Sequence, residues 1–172
     1  MNEQLLKMNG LSVEILDELS FESHLGIPLK KNLHYFDKDL LIAELVTMTE
    51  WLDEQEILSD IALDYRVKSL DSILLKYDRY YPDHQTRKVF NDILGVPGFF
   101  AIAMIRILEE ESSQFRIADM SSGKAVDDGY RGVHMYYQKS GKHYPIEIQF
   151  NTLFDRQLNN WLQITCIRKV IQ

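Results

Sequence analysis

Five polar residues could support phosphoryl-transfer chemistry, because they fall in segments whose apolar pattern is typical of strands. These residues are Arg66, Lys68, Asp92, Glu147 and Gln149. A carboxylate on a strand that faces a core needs a cation or a metal to offset its desolvation. Mg²⁺ binds one or two carboxylates together with phosphate oxygens and water, and lysine and arginine neutralise a transferring phosphoryl group. The set suits a Mg²⁺-bound polyphosphate, although each acid alone is also compatible with a solvated strand face.

Other chemistries have less support in the sequence. It contains no glycine-rich phosphate loop of the Walker type and no GxGxxG dinucleotide fingerprint. A Ser-His-Asp or Cys-His site has nothing in its favour beyond the presence of the residue types. The single cysteine, Cys166, can form neither a disulfide framework nor a zinc site. We therefore expect a reducing compartment.

The net charge of −7 is unevenly distributed along the 172 residues. Residues 1–60 contain 13 acidic and 4 basic side chains, whereas residues 61–172 contain 13 acidic and 15 basic ones. Because the second part repels an anionic substrate less, we expect the chemistry there. The overall charge argues against broad, sequence-independent nucleic-acid binding, but it is compatible with recognition of a single nucleic-acid end.

The length fits one domain with a substantial core. The N-terminus lacks the basic start and apolar stretch of a signal peptide. The longest nearly apolar run, residues 95–105, is too short to cross a bilayer. We therefore expect a cytoplasmic protein without membrane association.

Helical patterns dominate the first 80 residues. A short helix is expected within residues 11–20, before a break at Gly26-Ile27-Pro28. Asp37 is predicted to be the N-cap of a long helix, and Ser69 that of a helix ending near Tyr80. The residues predicted to face inward are Leu40, Leu41, Leu45, Met48, Trp51 and Leu52 in the first of these helices, and Leu70, Ile73, Leu74 and Tyr77 in the second.

Strand patterns begin at Leu63 and dominate the later part. Residues 63–68 alternate, so Arg66 and Lys68 should share a face. A second strand is predicted at 89–96, interrupted by Pro97-Gly98 and followed by a helix at 99–111 and a loop at 121–130. Strands at 133–138 and 144–152 should pair, with Glu147, Gln149 and Asn151 on one face of the second. A helix is expected from residue 154.

Read in order, four motifs resemble the RelA/SpoT synthetase domain over residues 63–162. The motifs are Arg66-Val-Lys68-Ser69-x-x-Ser72-Ile73-x-x-Lys76, Asp92-Ile-Leu-Gly95, Gly129-Tyr130-Arg131-Gly132-Val133-His134 and Pro145-Ile-Glu147-Ile-Gln149-x-x-Thr152. The resemblance implies an α+β fold, a mixed sheet flanked by helices and related to polymerase-β-like nucleotidyltransferases. It also implies one synthetase domain over 1–172, in which 1–60 is a helical N-terminal part and 61–162 is the catalytic core.

In that family the reaction moves the β,γ-pyrophosphate of ATP to a ribose 3′-hydroxyl. The resemblance assigns four residues to the ATP phosphates: Arg66, Lys68, Ser72 and Lys76. It makes Asp92 and Glu147 the Mg²⁺ ligands and catalytic residues, with Glu147 also helping to deprotonate the 3′-hydroxyl. On the acceptor side, Tyr130 would stack on the base, His134 and Arg131 would contact the acceptor, and Gln149 would support the site.

Two departures from the family pattern remove cations. Pro97 and Asn151 stand where family members usually have arginine, and Asp128 replaces a common Asn or Ser. Each lost charge-assisted contact is worth about 1.5–3 kcal/mol. A degenerate, non-catalytic nucleotide- or partner-binding module is therefore the alternative to an enzyme.

The acceptor divides the small stand-alone members of this family into two groups. One group makes ppGpp and pppGpp from GDP and GTP, and the toxic group pyrophosphorylates the 3′ end of tRNA and is checked by antitoxins. Residues 127–134 and 155–161 look more like the toxic group, and Asn151 points the same way. The sequence thus favours tRNA, with an antitoxin as a possible partner. The basic side chains that could contact the acceptor end of tRNA are Lys30, Lys31, Lys124, Arg131 and Lys139.

Overall fold

The computed structural model of the chain describes residues 11–60, 65–98, 113–122 and 130–150. Its helices are α1 (Val13–Glu18), α2 (Lys38–Asp53), α3 (Glu56–Asp60), α4 (Leu70–Tyr80) and α5 (Thr86–Val89), with a 3₁₀ turn at Leu33–Tyr35. Its strands are β1 (Arg66–Val67), β2 (Leu94–Gly98), β3 (Phe115–Asp119), β4 (Val133–Tyr137) and β5 (Ile146–Phe150). No helix in these ranges is long and apolar enough to cross a membrane.

Helices α2 and α4 begin at the N-caps that the sequence predicts, and α1 lies within the predicted residues 11–20. The side chain of Asp37 accepts a hydrogen bond from the Leu40 amide (3.0 Å) at the start of α2. Ser69 does the same for the Ser72 amide (3.4 Å) at the start of α4, and Ser12 caps α1. Each oxygen satisfies an amide that has no partner within the helix.

Two residues predicted to face inward do not. Leu40 is 62% exposed and Leu70 is 46% exposed. Both lie in the first turn of their helix, beside the buried stripe and not within it. The stripe consists of Leu41, Leu45, Met48 and Leu52 in α2, and of Ile73 and Tyr77 in α4.

The five strands form one mixed sheet in the order β1-β2-β5-β4-β3. β2 and β5 run parallel, and the other three pairs are antiparallel. This architecture confirms the predicted α+β class with a mixed sheet. The predicted pairing of the strands around 133–138 and 144–152 is confirmed by β4 and β5. β3, at the sheet edge, was not predicted.

The predicted strand at 89–96 is wrong at both ends. Residues 86–89 form α5, and β2 begins at Leu94 and continues through Pro97 to Gly98. The Lys68 amide donates to the Ile93 carbonyl (2.8 Å). Because backbone polar groups alternate sides along a strand, residues 93, 95 and 97 direct theirs toward β1, and 94, 96 and 98 direct theirs toward β5. Pro97 therefore removes no donor from the ladder between β2 and β5.

Several predicted features lie outside the described residues. They are the strand positions Leu63 and Asp64, the helix at 99–111, the loop at 123–129 including Lys124, Asp128 and Gly129, and residues 151–172 with Asn151, Thr152 and Cys166.

A buried carboxylate on α2 ties the N-terminal segment to the sheet. Glu44 accepts hydrogen bonds from the Ser23 hydroxyl (2.7 Å), the His24 amide (2.7 Å) and the Tyr144 hydroxyl (2.8 Å). Tyr144 is fully buried just before β5. The hydrophobic core likewise draws on both halves of the chain, from Leu11 to Phe150.

Glu44→Gln should lower the free energy of unfolding by about 2 kcal/mol, because an amide replaces a charged acceptor of three donors. Urea denaturation followed by circular dichroism measures the change. Glu50→Gln is the matched control, since Glu50 is exposed on the same helix, and it should change stability by less than about 0.5 kcal/mol. Equal effects of the two substitutions would contradict the role of Glu44.

Candidate active site

A row of residues crosses one face of the sheet. The strand registers align Arg66 with Gly95, Gly95 with Glu147, Glu147 with Tyr136, and Tyr136 with Arg116. Cross-strand partners project from the same face, so Arg66 and Glu147 share a face as the sequence predicts. A Cβ added at Gly95 would lie 3.9 Å from Glu147 Oε2. Glycine thus leaves the space beside that carboxylate open.

Lys68 and Lys76 converge on Asp92. Lys68 Nζ lies 2.7 Å and Lys76 Nζ lies 2.8 Å from Asp92 Oδ2. Lys76 reaches in from α4 and also donates to the Val89 carbonyl (3.2 Å). Asp92 occupies the turn before β2 and not a strand, which corrects the sequence prediction. The prediction failed because the buried apolar residues at the end of α5, Val89 and Phe90, have a pattern typical of a strand. A turn at residues 91–93 follows them.

Opposing effects set the protonation of this cluster. Burial alone would raise the pKa of Asp92, but the ammonium groups of Lys76 and Lys68 outweigh it and hold that pKa below its ordinary value. Burial lowers the pKa of Lys68, against the attraction of Asp92. The Lys68 side chain is only 7% exposed. A cation this well desolvated attracts an anion strongly.

One oxygen of Asp92 stands apart from this arrangement. Asp92 Oδ1 is buried and has no hydrogen-bond partner among the residues that the structure describes, although buried polar atoms are nearly always paired. An orphan carboxylate oxygen is a suitable ligand for Mg²⁺, which needs only one or two carboxylates beside phosphate and water. In the described part of the chain, no group of three or more His, Cys, Asp or Glu could hold a metal ion. The donor set therefore fits Mg²⁺ and does not fit a transition-metal site built from several side chains.

Glu147 is held by donors from two strands. His134 Nδ1 lies 2.8 Å from Glu147 Oε1, and Gln149 Nε2 donates to Oε2. Tyr136 is the cross-strand partner of Glu147, and its hydroxyl lies 3.3 Å from His134 Nδ1. Burial would raise the pKa of Glu147, but the bonds from His134 and Gln149 outweigh it, and the pKa lies below its ordinary value. Asp92 is close enough to oppose this effect electrostatically.

His134 links Glu147 to Tyr130. Because an ionised carboxylate can only accept, Nδ1 of His134 carries the hydrogen that faces Glu147. The Tyr130 hydroxyl is hydrogen-bonded to Nε2 of the same ring, and the two rings meet edge to face at 5.5 Å. Arg131 turns back and donates to the Tyr130 carbonyl (2.9 Å). The predicted acceptor residues Tyr130 and His134 are thus in direct contact with each other.

The remaining predicted residues lie around these two clusters. Arg66 is exposed and close enough to Lys68 to lower its pKa. The Ser72 hydroxyl accepts from Ser69 (3.0 Å) at the start of α4. The sequence prediction missed Tyr136 and Arg116. The alternation of β4 places Tyr136 beside His134 and could have revealed it, whereas Arg116 could be found only after β3 was recognised.

Asp92→Asn should destabilise the fold at neutral pH by about 2–3 kcal/mol, because two partly buried lysines lose their counter-charge. A carboxylate whose folded pKa is depressed contributes stability that is present above the ordinary value of 3.8. That contribution disappears as the pH falls through the folded pKa. Urea denaturation at pH 7 and at successively lower pH should show the two proteins converging.

The matched control is Asp78→Asn, which removes the exposed pair of Asp78 with Lys38 (3.0 Å). Solvent screens that pair, so the change in stability should be smaller. A constant difference between wild type and Asp92→Asn at all pH values would contradict the ionised cluster.

The chain is similar to solved structures of small alarmone synthetases. Small alarmone synthetase 2 from Bacillus subtilis is 19% identical, with 80% of this chain and 84% of that chain covered and a TM-score of 0.45. Small alarmone synthetase 1 from Bacillus subtilis bound to its product pppGpp is 24% identical, with coverages of 76% and 73% and a TM-score of 0.40. The same synthetase bound to AMPCPP is 23% identical, with coverages of 76% and 70% and a TM-score of 0.35. No protein-family profile and no curated protein matches the chain.

Proposed function

We propose that the protein is an ATP-dependent pyrophosphokinase that transfers the β,γ-pyrophosphate of ATP to a ribose 3′-hydroxyl. The observation that carries the proposal is the Lys68–Asp92–Lys76 cluster, with its orphan oxygen, next to the strand that bears Glu147. This arrangement combines cations for a polyphosphate, a ligand for Mg²⁺ and a base on one face of one sheet. Phosphoryl transfer uses cations, a metal and a residue that receives the nucleophile's proton together.

The basic side chains form the proposed binding site for ATP, the pyrophosphate donor. Lys68 and Lys76 neutralise Asp92 in the free protein, and they are already oriented when a polyphosphate arrives. Arg66 lies on the same face and makes no ion pair within the described ranges, so its guanidinium is available to a phosphate. Ser72 lies one turn before Lys76 on α4. Bound Mg²⁺, held by Asp92 and Glu147, would neutralise charge on the transferred group.

Glu147 is the proton acceptor in the proposed transfer. The acceptor's 3′-oxygen attacks the β-phosphorus of ATP, the new O–P bond forms, and the bond between that phosphorus and the α–β bridging oxygen breaks. AMP leaves with the bond's electron pair, and the proton of the 3′-hydroxyl passes to the Glu147 carboxylate. His134 and Gln149 keep this carboxylate in place before the substrate binds. Preorganisation of this kind avoids reorientation during the reaction.

We further propose the 3′ end of tRNA as the acceptor, which would make the protein a toxic, antitoxin-controlled enzyme of the cytoplasm. The sequence patterns at 127–134 and 155–161 support this choice. Lys30 lines a cavity of about 540 Å³ together with Arg87 and Lys142, and Lys31 lies 5.0 Å from the centre of the Tyr35 ring. Such cations can meet the phosphates of an acceptor stem. GDP and GTP, which need none of them, are the alternative acceptors.

Incubation with ATP labelled at the γ-phosphate should transfer label to one of tRNA, GDP and GTP, with one AMP released per transfer. Glu147→Gln should lower the rate at least about 100-fold, because removal of a general base costs at least that factor. Glu50→Gln is the matched control and should retain the wild-type rate. The assay measures labelled product by chromatography, and circular dichroism verifies folding.

Two results would overturn the enzyme assignment. One is ATP binding without transfer to any acceptor, the behaviour of a non-catalytic nucleotide-binding module. The other is a wild-type rate in folded Glu147→Gln. Robust ppGpp synthesis with unlabelled tRNA would instead refute the tRNA acceptor and leave the pyrophosphokinase standing.

If tRNA is the acceptor, the double substitution Lys30→Gln and Lys31→Gln should reduce kcat/KM for tRNA and leave any transfer to GDP unchanged. Each lost phosphate contact should also reduce the slope of log rate against log salt by about 0.7–0.9. Arg131→Gln should act in the same direction. Tyr130→Ala should disable transfer to either acceptor, because loss of a stacking ring costs about 1–3 kcal/mol per base.

The control for charge loss is Arg79→Gln, since Arg79 is an exposed cation on α4. Equal losses of kcat/KM for tRNA in Arg79→Gln and in the double lysine variant would mean that tRNA responds to the net charge of the protein and not to contacts at Lys30 and Lys31.

A further inference from the structure

We infer that the Tyr130 hydroxyl positions the Glu147 carboxylate through His134, a role separate from that of the Tyr130 ring. The inference rests on the proposed function of Glu147 as the proton acceptor. The sequence predicts that the ring stacks on the acceptor base and that His134 contacts the acceptor. The geometry instead uses the imidazole of His134 as a link between the hydroxyl and the carboxylate.

The pairing of β4 with β5 places this imidazole beside the carboxylate. His134 is the cross-strand partner of Gln149, and Tyr136 is that of Glu147. Because residues two apart on a strand share a face, all four side chains project from the same face of the sheet. His134 is therefore diagonal to Glu147, at a separation that a long side chain can bridge. Its Nδ1 atom lies 2.8 Å from Glu147 Oε1.

The hydrogens along this link can run in only one direction when the imidazole is neutral. An ionised carboxylate has no hydrogen to donate, so Nδ1 of His134 carries the hydrogen that lies between it and Glu147. Nε2 then carries none and can only accept. The Tyr130 hydroxyl is hydrogen-bonded to Nε2 and is therefore the donor. The two bonds thus favour the same tautomer of His134.

Both ring nitrogens of His134 are occupied in the free protein, and its side chain is only 13% exposed. The Tyr136 hydroxyl lies 3.3 Å from Nδ1, where it is a second acceptor for the same hydrogen. A phosphate or base of the acceptor could reach either nitrogen only by breaking one of these bonds. The network therefore favours a His134 that holds Glu147 over one that contacts the acceptor.

The tyrosine is itself held where this role requires it. The Arg131 guanidinium donates to the Tyr130 carbonyl at 2.9 Å, and β4 begins three positions after Tyr130. The tyrosine and imidazole rings meet edge to face at 5.5 Å, with an angle of 89° between their planes. The hydroxyl is thus oriented by a main-chain contact and a ring contact as well as by its own hydrogen bond.

Loss of the hydroxyl would release the imidazole. Without a donor at Nε2, the hydrogen can move to that nitrogen, and a bare Nδ1 lone pair would then face the negative charge of Glu147. Glu147 would keep the hydrogen bond from Gln149 but lose the one from His134. A carboxylate with one donor fewer is less firmly oriented toward the incoming 3′-hydroxyl.

Tyr130→Phe keeps the ring and removes only the hydroxyl. We expect kcat for pyrophosphate transfer to fall about tenfold, because a base displaced from its place loses part of its effect. KM for the acceptor and KM for ATP should stay within about twofold, because the stacking ring and the basic side chains around Asp92 remain. Tyr130→Leu removes ring and hydroxyl together, so it should also raise KM for the acceptor. Steady-state kinetics with the acceptor that gains label provide both constants.

The matched control is Tyr137→Phe on β4. The Tyr137 hydroxyl also serves a side chain, Asp17 Oδ1 at 2.6 Å, but this tyrosine is fully buried on the other face of the sheet. A general loss of stability would appear in both variants, whereas a lower kcat at unchanged KM should appear only in Tyr130→Phe. Equal changes of kcat in the two variants, or a wild-type kcat in folded Tyr130→Phe, would refute the inference.

A spectrum recorded without turnover separates this inference from the proposed function. In protein labelled with ¹⁵N in the histidine rings, at the pH of the assay, His134 should show a hydrogen on Nδ1 and none on Nε2. In Tyr130→Phe the Nε2 resonance should move downfield if that nitrogen stays bare, or upfield if it takes up the hydrogen. Tyr137→Phe should leave it unchanged.

The outcomes of spectrum and assay are distinct. An Nε2 resonance that is identical in wild type and Tyr130→Phe overturns the inference, even in a protein that transfers pyrophosphate. A changed resonance in a protein that transfers none supports the contact between hydroxyl and imidazole and overturns the proposed function. If Tyr130→Phe does not fold, the wild-type spectrum decides, because a hydrogen on Nε2 refutes the assigned direction of the link.

Discussion

The burial of two carboxylates on one face of the sheet is the constraint on which the rest of this site depends. A desolvated charge is tolerated only when donors or cations surround it. Asp92 satisfies this condition with the ammonium groups of Lys68 and Lys76, and Glu147 satisfies it with His134 and Gln149. Because these partners come from α4 and from three strands and their flanking turns, the two acids also fix how helix and sheet are oriented to each other.

The parallel pairing of β2 with β5 brings the acids together, and local sequence could predict only part of it. The starts of α2 and α4 were predictable because Asp37 and Ser69 each accept a hydrogen bond from the backbone amide three residues later. Such a contact is local in the sequence. The start of β2 was not predictable, because the short helix α5 ends in buried apolar residues whose pattern is typical of a strand. Pro97 appeared to interrupt the strand, but its backbone nitrogen faces β1 and not β5. Which side a proline faces depends on pairing, which is not visible in the sequence.

The relative placement of some candidate site residues could be predicted, because the motifs combine residue type with spacing. Period-two alternation placed Glu147 and Gln149 on one face of β5, as observed. Arg116 was missed because its position next to Tyr136 depends on the pairing of β3 with β4, a contact between residues about 20 positions apart. Tyr136 was missed for a different reason. A tyrosine on a strand usually packs in the core, and the position of Tyr136 opposite Glu147 follows only from the pairing of β4 with β5.

The different surroundings of the two acids suggest different tasks. Both oxygens of Glu147 accept hydrogen bonds, whereas Asp92 presents one oxygen to two lysines, and its other oxygen has no partner within the described part of the chain. In the proposed reaction, Oδ1 of Asp92 would be a ligand for Mg²⁺, and Glu147, held by His134 and Gln149, would accept the proton. Lys68 and Lys76 stabilise the Asp92 carboxylate in the free protein, and in the proposed reaction the same two ammonium groups would neutralise the phosphates of ATP.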